Sequence, residues 1–345
     1  MDAKILSFIV PAYNSEKYID KCLSSFLCDD ILGLIEVIVV NDGSNDSTAR
    51  IAGEFVDKYP GSFVLINKEN GGHGSAVNTA VRRAHGRYMR IVDSDDWVVT
   101  NNLPEYIKWL CVTSADVVIS HFHTVNASTG KRQAITTSGV AYGVPYSLDQ
   151  LMAADKGALS CCMLHGIAYK TSFYLGCGIL LSEGLSYEDQ EYSTIPLSRA
   201  NSILFVDIFI YEYLIGTAEQ SISSDNQVRR ASQLEQVFWN IVRFYKMNTS
   251  LSKSAKKYIL YKLAETLQNY YVTMLMRNKN RMEGRKESAR MHSDSSRAIK
   301  ELRTIIGGRY QLLRFLHVAH IDIKAIELLK ELPFYAWIRR NIRKL

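Results

Sequence analysis

Short apolar runs alternate with amphipathic stretches over the first hundred residues. Residues 5–10, 36–40, 62–66 and 88–92 have the length and the β-branched or aromatic content of buried strands. Residues 16–27, 48–58 and 76–84 space their apolar positions as helices do. Asn14 or Ser15 and Asp46 or Ser47 stand where the first two helices need N-caps. This alternation predicts βαβ units and an α/β fold around a mostly parallel sheet. Right-handed crossovers would then bring the polar segments after each strand to one edge of the sheet.

Those polar segments carry the chemistry. They read Pro11-Ala12-Tyr13-Asn14, then Asn41-Asp42-Gly43-Ser44, then Asn70-Gly71-Gly72-His73-Gly74, and finally Asp93-Ser94-Asp95-Asp96-Trp97. Carboxylates this close repel one another, so ionising them together favours a counter-cation. Hard oxygen ligands suit Mg²⁺ or Mn²⁺, often shared with substrate phosphates. Taken alone, the acidic run could equally be a surface turn leading into a helix near Leu103.

In this order, the four segments resemble the motifs of the family 2 glycosyltransferases, over residues 4–222. The resemblance implies a nucleotide-sugar-binding GT-A fold, a Rossmann-like central sheet flanked by helices. It implies Tyr13, with Pro11, against a nucleotide base and Asp42 hydrogen-bonded to that base. Asn70 and Gly72 would line the nucleotide turn, while Asp93 and Asp95 would bind the ribose and the metal bridging the diphosphate. The catalytic base would come from Glu188-Asp189, with Asp189 preferred. Read without the resemblance, that pair is an acidic start to a helix, favourable to its dipole. The implied reaction is inverting transfer of one sugar from a nucleotide diphosphate donor, expected to be a UDP-sugar. The acceptor would be a saccharide or polyprenyl-linked hydroxyl, in surface polysaccharide or glycoconjugate assembly.

Three departures from the family pattern stand out. Ala76-Val77-Asn78 replaces a common Ala-Arg-Asn, so a basic contact to the nucleotide must be absent or come from elsewhere. The arginine that commonly precedes a Gly-Ser-Ile segment is not evident in residues 216–223. A Gln-x-x-Arg-Trp motif of processive synthases is not found either, which points to a single transfer per acceptor.

Other chemistries are weaker. No Gly-Lys-Ser/Thr follows the glycine-rich turn, and the first strand lacks Gly-x-Gly-x-x-Gly, so Walker-type and dinucleotide sites are disfavoured. A sugar-phosphate nucleotidyltransferase would need a basic glycine-rich loop where Pro11-Ala12-Tyr13-Asn14 stands. A nucleotide-sugar-binding or scaffold protein without catalysis remains a second reading. His121 and His123 alternate on a strand without a further ligand set, and His165 reads either as a site residue or as a core histidine.

The charge divides the chain. Residues 1–245 carry 19 Lys and Arg against 27 Asp and Glu, a formal −8, whereas residues 246–345 carry 22 against 8, a formal +14. The basic part also loses its strand signals; residues 255–276, 288–306 and 311–332 read as helices separated at Gly307-Gly308 and Pro333. The expected domains are therefore a transferase domain at 1–224 and a basic helical region at 225–345. No nucleic-acid motif accompanies the charge, so an anionic membrane surface is the better-matched partner. Residues 334–344 mix aromatic and basic side chains as interfacial helices do, although the same aromatics suit a core or a homo-oligomer interface. Six cysteines without disulfide spacing, no signal-like N-terminus and no membrane-length apolar run set the expected location as cytoplasmic, peripheral on the inner face of the plasma membrane.

Overall fold

The computed structural model describes residues 4–217 and 224–321. Among these, one sheet contains β1 (Leu6–Ala12), β2 (Ile35–Asp42), β3 (Phe63–Lys68), β4 (Tyr88–Ile91) and β5 (Trp97–Val98). It continues with β6 (Val117–Asn126), β7 (Arg132–Ile135), β8 (Pro145–Tyr146), β9 (Ile167–Lys170) and β10 (Ile203–Ile215). The strand order is β3-β2-β1-β4-β9-β6-β10-β5, with β7 beside β6 and β8 beside β10.

The four sequence-predicted strands are β1 to β4, and they pair in parallel, with Ile9 opposite both Ile38 and Ile91. Every residue of β1 and β2 is buried, as expected of central strands covered on both faces. Parallel register brings Ala12 beside Asn41 and Asp42 beside Lys68, so the loops after these strands leave the sheet along one edge. Such an edge is where open α/β sheets bind ligands. Strand β9 runs antiparallel to both β4 and β6, joining the parallel half to the β6–β10 pair.

Helices α1 (Ile19–Ser24), α2 (Thr48–Lys58), α3 (His73–Val81), α4 (Leu103–Val112), α5 (Leu148–Ala153), α6 (Thr171–Gly176) and α7 (Asp189–Thr194) flank this sheet. Ser47 is the N-cap of α2 without a side-chain bond of its own, and the preceding Asp46 accepts from the Thr48 amide through Oδ1 at 2.9 Å. Helix α3 begins three residues before the predicted 76, inside the glycine-rich motif. Seven of its nine residues are buried, so the amphipathic pattern that marks a surface helix starts too late to reveal it.

The chain divides into two compact units, Met1–Gln220 with Asn248–Tyr258, and Ser221–Met247 with Ile259–Leu345. Among the described residues of the later part lie α8 (Ser224–Arg229), α9 (Ala231–Met247), α10 (Lys253–Val272), α11 (Arg281–Ala298) and α12 (Lys300–Val318). A π-helical turn, Thr273–Arg277, extends α10. The predicted break at Gly307-Gly308 is instead helical, within α12, and the chain breaks at Ile299, which is extended (φ −140°, ψ 104°). Burial of the Ile299 side chain at 4% exposure outweighs the roughly 1 kcal/mol that each mid-helix glycine costs. Residues 322–345, with Pro333 and the aromatic-basic tail, and residues 218–223 lie outside the described part.

Candidate active site

The loops after β1 to β4 are tied to one another side by side. The Asn14 amide donates to Ser44 Oγ at 3.0 Å, the Ser15 amide to Thr48 Oγ1 at 2.8 Å, and the Ser15 and Ser94 hydroxyls meet at 2.7 Å. Asn14 sits at φ 48°, a left-handed conformation that asparagine tolerates. Pro11 is buried in β1, whereas the Tyr13 ring stands 51% exposed beyond the strand end.

Asp42 fastens the glycine-rich turn. Its Oδ1 accepts from Lys68 Nζ at 2.7 Å and from the Gly71 amide at 3.0 Å; its Oδ2 accepts from the Gly72 amide at 2.7 Å. Asn70, itself exposed, donates from its side chain to the Asp42 carbonyl at 2.9 Å. A carboxylate offers about four lone pairs, so most of Asp42's capacity is spent on the turn and one direction on Oδ2 stays open. Gly72 has φ 86°, and a Cβ there would lie 3.0 Å from the Gly184 amide nitrogen. Glycine is required for this close approach.

His73, the first residue of α3, stands at the centre. Its Nε2 lies at hydrogen-bond distance, 2.8 Å, from Asp93 Oδ1, and its Nδ1 lies 2.5 Å from Glu188 Oε1, an ion-pair contact off the line of a hydrogen bond. Burial disfavours the imidazolium, but Glu188 and Asp93 more than offset this and raise the His73 pKa well above the ordinary histidine value. Burial likewise works against the charge on Asp93, and His73 reverses the balance, holding that carboxyl below its usual range. Glu188 is 4% exposed and precedes α7; Asp189, the first residue of α7, is less buried.

Asp96 points inward. The Tyr211 hydroxyl donates to its Oδ2 at 2.6 Å and the Leu214 amide to its Oδ1 at 2.7 Å. Burial, followed by the charges of Asp95 and Asp93, pushes its pKa well above the carboxylate range. Burial also lowers His165 to about 4, despite the nearby Asp93, so this ring is neutral at physiological pH. His165 Nδ1 is buried without a hydrogen-bond partner, and the ring stacks on Tyr213 with centroids 4.0 Å apart. Asp93, Asp96 and His165 each offer a donor atom within 4.8 Å of the others. Asp95 is not part of that group. Burial raises the Tyr213 pKa, and the charges of Asp96, Asp93, Asp189 and Asp95 add to the rise.

The donor set fits a divalent cation. Its oxygens are hard, its neutral imidazole has a free lone pair, and the two clustered carboxylates favour a positive neighbour. His121 and His123 take no part. They pair with Asp207 and Glu212, both at 3.1 Å, as strand side chains of β6 and β10.

Of the sequence-predicted residues, Tyr13, Asp42, Asn70, Gly72, Asp93, Asp95, Glu188 and Asp189 follow strand ends or open helices of the first unit, and Pro11 lies within β1. Sequence reasoning placed His73 and Asp96 within motifs without a role of their own, and gave none to Tyr211 or Tyr213. Only the placement of His73 among glycines, and the alternation of Tyr211 and Tyr213 on one strand, offered a signal.

Comparison with known proteins bears on the fold and the family. Residues 7–174 match the model for Glycosyl transferase family 2. "Glycosyltransferase GlyA" of Streptococcus pneumoniae serotype 4 is 36% identical over 38% of this chain and 18% of its own length. The poly(ribitol-phosphate) beta-N-acetylglucosaminyltransferase TarS of Staphylococcus aureus is 27% identical over 77% of this chain and 44% of its own. The chain thus spans less than half the length of these relatives. A crystal structure of TarS residues 1–349 with UDP-GlcNAc superposes with a TM-score of 0.63 at 22% identity, over 92% of this chain and 88% of that one. A mannosyltransferase, PcManGT of Pyrobaculum calidifontis, in complex with GDP-Man and Mn²⁺, reaches 0.51 at 17% identity, over 92% and 86%. The fold is GT-A, and residues 7–174, just under half of this chain, are similar to glycosyl transferase family 2.

Proposed function

We propose that the chain is an inverting, metal-dependent glycosyltransferase that moves one sugar from a UDP-linked donor to a hydroxyl of a saccharide or lipid-linked acceptor. The observation that carries this reading is the convergence of the acidic run, the glycine-rich turn and the Glu188-Asp189 pair, joined through His73. In this reading Tyr13 faces the base, with Pro11 behind it, and the open direction on Asp42 Oδ2 receives the base. Asn70 and Gly72 border the nucleotide. Asp93 and Asp96, with His165 and with Asp95 alongside, would hold Mn²⁺ or Mg²⁺. Bound there, the ion would act as a Lewis acid on the leaving diphosphate.

Asp189 takes the proton of the acceptor hydroxyl as its oxygen bonds to the anomeric carbon. The bond from that carbon to the diphosphate oxygen breaks on the opposite face, which inverts the centre. Asp189 suits this role better than Glu188, because it is more accessible and Glu188 is buried against His73. General-base catalysis of this kind contributes typically about 10²–10⁴-fold. TarS, which shares the fold, has been crystallised with UDP-GlcNAc and is named for a poly(ribitol-phosphate) acceptor; UDP and surface-polymer assembly are assigned here on that support.

The basic helical region at 225–345 would hold the enzyme to the cytoplasmic face of an anionic membrane. Among the described residues no helix is long and apolar enough to cross one. Within the second unit, Arg281, Arg285, Lys286 and Arg314 line a cavity of about 480 Å³ with Met282 and Ala289.

A thermal-shift and transfer screen of UDP- and GDP-sugars with Mn²⁺ tests the assignment. A UDP-sugar should raise the melting temperature only with the metal, since selective binding stabilises the native state. Asp93→Asn and Asp95→Ala should each remove that shift and the turnover. Binding without transfer or hydrolysis would favour the non-catalytic reading, and unchanged turnover in EDTA would defeat the metal assignment.

A further inference from the structure

We propose that His73 is a positioning residue: its ring fastens Glu188, and through it Asp189, to Asp93, so that the proton acceptor is held at the donor site. This deepens the proposed function and rests on it. The two ring nitrogens lie on different edges of a rigid five-membered ring. One edge meets Asp93, at the end of β4, at 2.8 Å; the other meets Glu188, 95 residues further along the chain, at 2.5 Å. Neither asparagine nor glutamine can span both carboxylates.

The segment that carries Glu188 needs such a fastening. Helix α7 has six residues, too few to be stable by itself. It is anchored at Glu191, whose carboxylate takes the Ser182 amide and hydroxyl, each at 2.8 Å. The loop before it hangs from α3. The Gly184 amide donates to the Gly71 carbonyl at 2.7 Å, and Asn78 both donates to the Leu181 carbonyl and accepts from its amide, each at 2.9 Å. These contacts fix residues 181–184 and the middle of α7, on either side of Glu188 and Asp189. His73 secures the turn at Glu188, and its other edge continues to the acidic cluster. Misplacing a reacting group by about 1 Å can cost roughly 10²-fold in rate, so a link of this kind acts on turnover more than on donor binding.

A double-mutant cycle on His73→Ala and Glu188→Gln tests the proposal, with kcat and donor KM measured separately. His73→Ala should lower kcat by roughly 10²-fold while donor KM changes by less than about threefold. The double variant should be no slower than the slower single one, because both changes break one link. His73→Asn and His73→Gln, which each keep one contact, should fall between, and either can carry the cycle should the alanine variant not fold. Amide hydrogen exchange over residues 184–190 should quicken in His73→Ala relative to wild type. Independent, multiplying losses in kcat would overturn the proposal, as would a rise in donor KM at unchanged kcat or unaltered exchange. A wild-type protein that turns over no nucleotide sugar would refute the function itself, and the exchange measurement would still decide whether His73 holds the turn.

Discussion

At the scale of single residues, two neighbouring carboxylates stand in different surroundings. Glu188 is buried against an imidazole, while Asp189 opens α7 near Tyr213 and the acidic run. Asp189→Asn, nearly isosteric but unable to take a proton, should lower kcat by about 10²-fold or more with donor affinity retained. Near-normal turnover in that variant would hand the role to Glu188. His165 supplies a pH prediction for the metal-free protein. Its folded pKa is about 4, against 6.5 for an ordinary histidine, so below pH 6.5 the unfolded chain takes up a proton that the folded one refuses. Stability therefore falls as pH drops through that window. His165→Phe keeps a ring against Tyr213 and removes the group, so its melting temperature should fall less than wild type between pH 6.5 and 4.5. Equal acid limbs would place His165 outside this account. The sequence made Asp93, Asp95 and Glu188-Asp189 legible through their motif order. It could not reveal that His73 joins two of them or that Asp96 and His165 turn toward Asp93, because these meetings depend on how the sheet folds back.

At the scale of elements, the glycine-rich turn shows why local chemistry was readable and its purpose was not. Glycines at 71, 72 and 74 marked a turn without naming what packs against it. In the structure, the close neighbours of Gly72 and Gly74 are protein: a Cβ at Gly74 would lie 2.2 Å from the Ser182 carbonyl oxygen. The turn is therefore packed against the segment leading to α7. Gly74→Ala must push that segment away, and overpacking of this kind costs typically about 1–3 kcal/mol. We expect lower stability by urea unfolding together with lost turnover. A fully active, equally stable Gly74→Ala protein would show that the two segments separate freely. The same limit explains the helix boundaries. Burial decides that α3 starts at His73 and that the chain breaks at Ile299, and neither has a local signal strong enough to compete with the glycines.

At the scale of the whole molecule, the parallel half of the sheet followed from the strand–helix alternation, whereas β9 and β10 did not. Their pairings join residues far apart in the chain, such as Val117 with both Tyr169 and Ile203, and no periodicity encodes which distant strand is the neighbour. The charge division needed no fold to be seen, and it leads to the last prediction. Within the second unit, exposed Met282 (84%) lines the cavity with the cations, and α12 also exposes Phe315 and Val318 (64% and 52%). Apolar side chains set among Lys and Arg suit an anionic lipid surface, where each cation contributes about 1 kcal/mol. Co-sedimentation should therefore occur with anionic vesicles and not with neutral ones. It should weaken at high salt, as the screening length shortens to about 3 Å at 1 M. The charge reversals Arg285→Glu and Lys286→Glu together should weaken it by roughly 10-fold or more, and deletion of residues 334–345 should weaken it further. Transfer to a soluble acceptor should survive both changes, because both fall in the sequence of the second unit. Equal partitioning onto neutral and anionic vesicles, or onto neither, would mean that this basic surface serves packing or self-association instead.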